Sequence, residues 1–155
     1  MASAYIIFDN TQRRLTPDHL LAYLRDECGV AASLGEWRFF DRVVTRVHVA
    51  TTPAIALQIN ENPICVPEGI SELLLDAGEA LGEQSRAAAG LCRSRVEVVS
   101  TEPTEIMPLS AGGIMTHTPE AELGTPAVQS VLRHLTEFLN GWCYDNVNGQ
   151  WIGLA

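Results

Sequence analysis

Arg38, Arg42, Arg46 and His48 recur at even spacing in a segment of alternating apolar residues. On one extended strand that spacing puts all four side chains on the same face. Guanidinium groups held so close repel one another unless a counter-charge intervenes. A bound phosphate, carboxylate or acidic peptide would supply it, since arginine grips such anions bidentately. Acids on neighbouring strands, such as Glu97 or Glu61, would do so equally well by ordinary cross-strand pairing. Acid–base chemistry on this face would fall to His48, because imidazole titrates near neutrality.

A second series carries the opposite sign. Glu68, Glu72, Asp76, Glu79 and Glu83 follow spacings of four, four, three and four, so a continuous helix would gather them into one acidic ridge. No basic residue lies inside the run, and Arg86 follows only after Gly82. Each like-charged pair costs the helix about 0.2–0.5 kcal/mol. Glu68 and Glu72 recover part of this at the positive helix end. A ridge that works against its own helix fits a docking surface for a basic partner; the plainer reading is a solvated face.

Other chemistry finds weaker footing. Asp9-Asn10-Thr11 follows an apolar run where a phosphotransfer aspartate could stand, but no paired acid accompanies it, and an Asx turn is the expected role. His134 with Glu137, and His117 near Glu120 and Glu122, are two-ligand fragments, whereas a metal site needs three or four ligands. Met107, Met115 and His117 could hold a soft metal, yet the methionines read more simply as apolar anchors. Ser110 lacks a nucleophile elbow, and no Lys-Ser/Thr pair follows Gly112-Gly113 to make a phosphate loop. Cys28, Cys65, Cys92 and Cys143 stand far apart, with no zinc or redox spacing. No metal, no cofactor and no catalytic residue is therefore assigned, His48 being the sole acid–base candidate.

Composition narrows the partners. The 155 residues carry 19 acids against 10 bases, a formal charge of −9, and every base is arginine. Such a field repels nucleic acid and anionic membranes and favours basic partners. A chain of this size buries about 69% of its unfolded surface, enough for one core without disulfides or metal. The first residues lack the basic segment of a signal peptide, and no apolar run approaches the ~18 residues of a membrane span, so a cytoplasmic location with reduced thiols is expected.

These side chains need elements to position them. Tyr5–Phe8 reads as a strand. Thr16, Pro17 and Asp18 open a helix whose stripe is Leu20, Leu21, Leu24 and Cys28, and Gly29 ends it. From Trp37 the period becomes two, with Trp37, Phe39, Val43, Val47 and Val49 opposite the arginine face. The segment 37–50 is long for one strand, so either a bulge or an inner turn near Asp41-Arg42 would interrupt it. Thr51-Thr52-Pro53 breaks the pattern before Ile55, Leu57 and Ile59 resume it as a hairpin partner. Pro67–Gly82 reads as a helix on Ile70, Leu73, Leu74, Ala77 and Leu81, with 86–92 extending it after a break at Gly82. Arg95–Thr101 is a further strand.

Through residue 101 the order is β-α-β-β-α-β, that of a ferredoxin-like sandwich: an α+β fold, an antiparallel sheet with its helices on one face. Residues 102–124 read as a long loop. A helix from Thr125-Pro126, with Val128, Val131, Leu132, Leu135 and Leu139 inward, runs to Asn140-Gly141, and a hairpin turning on Asn148-Gly149 follows. The expectation is one domain, 1–155, made of a split βαβ core (1–101), the loop (102–124) and a C-terminal helix plus hairpin (125–155).

The resulting functional expectation is a non-enzymatic, acidic, cytoplasmic protein-binding module, in character like a small bacterial-type antitoxin, immunity protein or secretion chaperone. Its ridge Glu68–Glu83 would meet a basic protein, with neither nucleic acid nor membrane as partner. The alternative is a small-molecule anion-binding protein or small enzyme using Arg38, Arg42, Arg46 and His48, with 102–124 as a lid. A third reading is a homodimer formed through an open sheet face or the edge of the C-terminal hairpin, with Trp142, Tyr144 and Trp151 in contact.

Overall fold

The first helix begins as its residues require. Thr16 Oγ1 accepts the His19 N–H at 3.3 Å, Pro17 takes the first helical position, and α1 (Pro17–Asp26) buries Leu20 and Leu24. Before it, Asp9 forms the expected Asx turn, its Oδ1 accepting from Thr11 N–H at 3.0 Å and Thr11 Oγ1 at 2.8 Å. Those bonds hold its carboxyl below the usual carboxylate range. The computed structural model describes residues 2–11, 14–39, 41–100, 105–109, 112–116 and 125–153, with side chains except at 39, 100, 105–109 and 112–116.

The strands are β1 (Ala4–Phe8), β2 (Ala32–Phe39), β3 (Arg42–Val49), β4 (Ile55–Asn60) and β5 (Ser94–Ser100), then β6 (Glu105–Leu109), β7 (Gly112–Thr116), β8 (Trp142–Asp145) and β9 (Gln150–Ile152). The remaining helices are α2 (Cys65–Ala77), α3 (Glu83–Gly90) and α4 (Pro126–Leu139), with a 3₁₀ turn (Gly78–Leu81) between α2 and α3. Seven strands form one antiparallel sheet in the order β2-β3-β4-β5-β1-β8-β9, and β6 and β7 pair separately. The fold class is α+β, as expected. Residues 102–124, expected to be a loop, thus contain two strands paired with each other. The turn near Asp41 is present, Phe39 pairing directly with Arg42.

That turn changes the topology. It makes two strands of residues 32–49, so a three-stranded meander precedes α2, and the chain returns through α2 and α3 to place β5 beside β4. β1 then pairs antiparallel with both β5 and β8, which departs from the ferredoxin-like order.

The helices occupy both faces rather than one. Ala4, Ile6 and Phe8 of β1 join α1 and α4 in the larger core, while Ile7 points the other way into a second core with Val66, Ile70 and Leu74 of α2 and Ala89 of α3. A run apolar at consecutive positions, as Ile6-Ile7-Phe8 is, belongs to a strand covered on both sides.

At the C-terminal end, Asn140 adopts the left-handed conformation that closes α4. The hairpin turn is wider than a two-residue Asn-Gly turn and spans Asn146–Gly149. Buried Asp145 organises it, accepting from the Val147 N–H at 2.9 Å, the Asn148 N–H at 3.1 Å and Asn148 Nδ2 at 2.7 Å. Gly149 sits at φ +67° there.

Gly141, between α4 and β8, has no room for a side chain. A Cβ would strike the carbonyl oxygen of Ile7 and lie 3.2 Å from Phe8 Cβ. Because the obstacle is backbone of a central strand, Gly141→Ala is expected to lower stability by about 1–3 kcal/mol, seen as a lower urea midpoint. An unchanged midpoint would show that β8 shifts freely against β1.

All four thiols are free. Burial pushes Cys143 up to about 12 and Cys92 up to about 11, and raises Cys28 as well. Burial, then the charge of Cys28, lifts the Tyr23 hydroxyl to about 12. These groups stay neutral in the native state at pH values where the unfolded chain ionises, so their contribution is complete below about pH 9 and is lost as pH rises toward 11–12. The thermal midpoint should therefore fall steadily above pH 9, and a flat profile from pH 8 to 11 would contradict these burials.

Candidate functional site

The hairpin turn settles which cations share a face. In continuous strand, Arg38 and Arg42 would lie on the same side. Across the turn, Arg38 pairs with Val43, while Phe39 pairs with Arg42, Trp37 with Val44 and Gly35 with Arg46. Facing pairs project to the same side and alternate residues to opposite sides. Arg42, Arg46 and His48 therefore share a face with Trp37, whereas Arg38 projects from the other side with Val43. The four-residue cationic stripe reduces to three, and Trp37 exchanges sides.

Arg46 is the best held of the three. Its guanidinium lies 4.2 Å from the centroid of the Trp37 ring, and its Nε donates to Gln58 Oε1 at 2.9 Å. Partial burial draws it below its ordinary value, which the charge of Glu97 opposes. His48 is exposed, its ring lying across Gly35, where a Cβ would meet His48 Nε2 at 2.5 Å. Arg42 is exposed near the hairpin tip.

The row continues across the sheet through Asn60, Arg95 and Tyr5, which carried no site reading in the sequence, and through Glu97, which did. Asn60 Nδ2 donates to Glu97 Oε2 at 3.0 Å, Arg95 Nε stands 3.5 Å from the same oxygen as an ion pair, and the Arg95 guanidinium lies 4.7 Å from the Tyr5 ring centroid. The signal was alternation: Gln58 and Asn60 alternating with Leu57 and Ile59, and Arg95 and Glu97 around Val96. Glu97 makes its ion pair with Arg95 of its own strand and reaches the stripe through its charge on Arg46. Glu61 does not, because it accepts from Asn10 Nδ2 at 3.2 Å and Ser94 Oγ at 2.9 Å. The proposed lid, 102–124, has no side chain among the described residues.

The acidic series divides at Gly78–Gly82. Glu68, Glu72 and Asp76 follow one line along α2, Glu79 lies in the 3₁₀ turn, and Glu83 opens α3 after Gly82 at φ +79°. All five are exposed, and among the described residues none has a basic group within 4 Å. Arg86 does not neutralise them. It turns under the end of α2, donating Nη2 to the Leu74 carbonyl at 2.9 Å where the helix dipole is negative.

Leu75 stands on the acidic line, three residues after Glu72 and seven after Glu68, and is 77% exposed. In sequence it hides in the run Leu73-Leu74-Leu75, of which a helix can turn only part inward. Glu72 and Asp76 also border a cleft of about 220 Å³ with Tyr5, Leu73, Arg95 and Asn146. Asp76 and Glu79 border another, of about 550 Å³, against Gly149 and Trp151. Trp151 is anchored there, its Nε1 donating to the Ala77 carbonyl at 2.8 Å.

The remaining candidates stay dispersed. His134 Nδ1 is 2.7 Å from the Ser130 carbonyl of its own helix, and among the described residues no three His, Cys, Asp or Glu side chains converge as metal ligands. Met107 and Met115 side chains and His117 lie outside the described residues. Among the described residues no helix is long and apolar enough to cross a membrane. Comparison with protein-family models, with curated proteins and with solved structures yields no match to this chain.

Proposed function

We propose that the protein is a non-enzymatic binding module that engages a basic protein partner through the acidic surface of α2, the 3₁₀ turn and α3. The observation that carries this reading is Leu75, an exposed apolar side chain set among Glu68, Glu72 and Asp76. One exposed leucine is ordinary on any surface. A leucine with a carboxylate rim and clefts beside it has the make-up of a docking site with an apolar centre and a charged border. The carboxylates would steer a basic surface into place, and the clefts would take its side chains. Antitoxins, immunity proteins and secretion chaperones work in this manner. Four free thiols fit the reducing cytoplasm for such a module.

The sheet face that carries Arg42, Arg46, His48 and Trp37 supports a second reading, because those groups lie on it together. There an anion would bind between the guanidinium groups, with His48 as the acid–base residue of any reaction.

Parallel affinity capture from native lysate separates the two. Wild type, a Glu72→Arg/Asp76→Arg double variant and Arg42→Ala serve as baits at low and high salt. The acidic-surface reading expects a stoichiometric basic protein retained by wild type and Arg42→Ala, and lost from the double variant and at high salt. Equal retention by all three baits would refute it. A co-purified anion lost only from Arg42→Ala would support the second reading.

A further inference from the structure

β2 is one end of the seven-stranded sheet, and among the described residues no strand pairs with its outer edge. Its eight residues pair with β3 in unbroken register from Ala32–Val49 to Phe39–Arg42, without bulge or proline. Proteins usually blunt so long and regular an edge with those devices or with lysine. Leu34 and Trp37, on opposite faces of this strand, are 42% and 41% exposed, and Val43 of β3, on the Leu34 face, is 52% exposed.

The hydrogen bonds show which backbone groups point outward. Ala31 faces inward, its carbonyl accepting the Ala50 N–H at 2.9 Å. Ala32 faces outward, its carbonyl accepting Arg25 Nε at 2.9 Å. Alternation then turns the backbone groups of Leu34, Glu36 and Arg38 outward, and no described strand pairs with them.

We propose that this edge pairs with the same edge of a second copy of the chain, antiparallel and two-fold symmetric about Trp37. In that register Glu36 lies opposite Arg38 of the second copy and Arg38 opposite its Glu36. Both residues are outward-bonding, so each such pair exchanges two backbone hydrogen bonds. Trp37 meets its counterpart on the opposite face, beside Arg46. Neighbouring registers are poorer. Centring on Glu36 or on Arg38 opposes like charges. Centring on Gly35 opposes Leu34 to Glu36 and requires the Ala32 carbonyl, already taken by Arg25. Self-complementary charge thus selects both the occupant and the register, and joins two sheets into one.

Sedimentation velocity of the purified chain, from about 1 to 200 µM, provides the test. Wild type should dimerise within this range. Glu36→Arg and Arg38→Glu each oppose like charges at two symmetric positions, and each should weaken dimerisation at least tenfold while leaving circular dichroism unchanged. An equimolar mixture of the two variants restores opposite charges in every pair and should form a heterodimer. A wild type monomeric throughout, single variants that dimerise as wild type does, or a mixture that stays monomeric would each overturn the proposal.

Discussion

If the acidic surface docks a basic partner as proposed, a Glu72→Arg/Asp76→Arg protein is expected to bind it about a hundredfold more weakly than wild type, a loss of about 2.7 kcal/mol. Both carboxylates sit on the exposed line of α2 and border the cleft beneath it, so reversal turns two attractions into repulsions without disturbing a buried contact. The loss should fall mainly on the association rate, and the steep salt dependence of wild type should flatten. Leu75→Ser should act differently. It removes the apolar centre, so it should accelerate dissociation and leave the salt slope intact. Surface plasmon resonance across a salt series measures both effects, and a double variant with wild-type association at low salt would sink the docking assignment. The substitutions are not expected to unfold the protein, since none of the ridge acids has a basic partner among the described residues.

Phe8→Ala should be the most damaging single core change, at about 3–5 kcal/mol. Phe8 is fully buried on β1, the strand between β5 and β8, and packs in the core shared by α1 and α4. Its removal leaves a void that a sheet paired on both sides closes poorly. Natural domains are stable by only about 5–15 kcal/mol, and a chain of this length loses roughly 2–4 °C of midpoint per kcal/mol. A fall of about 6–20 °C is therefore expected in thermal unfolding. A fall below 3 °C would place Phe8 outside the core.

The acidic surface and the cationic face differ in how far residue order alone reveals them. Acids at i, i+4 and i+8 share a helix face wherever the helix packs, so Glu68, Glu72 and Asp76 are aligned by local geometry. The cationic face depends on pairing. Arg38 leaves it because the direct pairing of Phe39 with Arg42 re-sets strand parity, although the possibility of an inner turn was visible in the length of 37–50. Trp37 enters it by the same re-setting, and Glu97 and Arg95 enter it through a strand distant in sequence.

By itself the sequence determined the local elements of this protein: the Thr16 and Pro17 start of α1, the apolar stripe of α4 with its Asn140 stop, the break at Gly82, and the alternation of β4 and β5. Each follows from backbone propensity, capping and side-chain period over a few residues, which a segment carries wherever it packs. Tertiary structure alone decided the strand order, the helices on both faces, the separation of Arg38 from Arg46, the exposure of Leu75 and the place of β2 at the end of the sheet. Those depend on which apolar faces bury one another. That choice is made by the free energy of the whole core, to which distant segments contribute together and no short window contributes enough to reveal it.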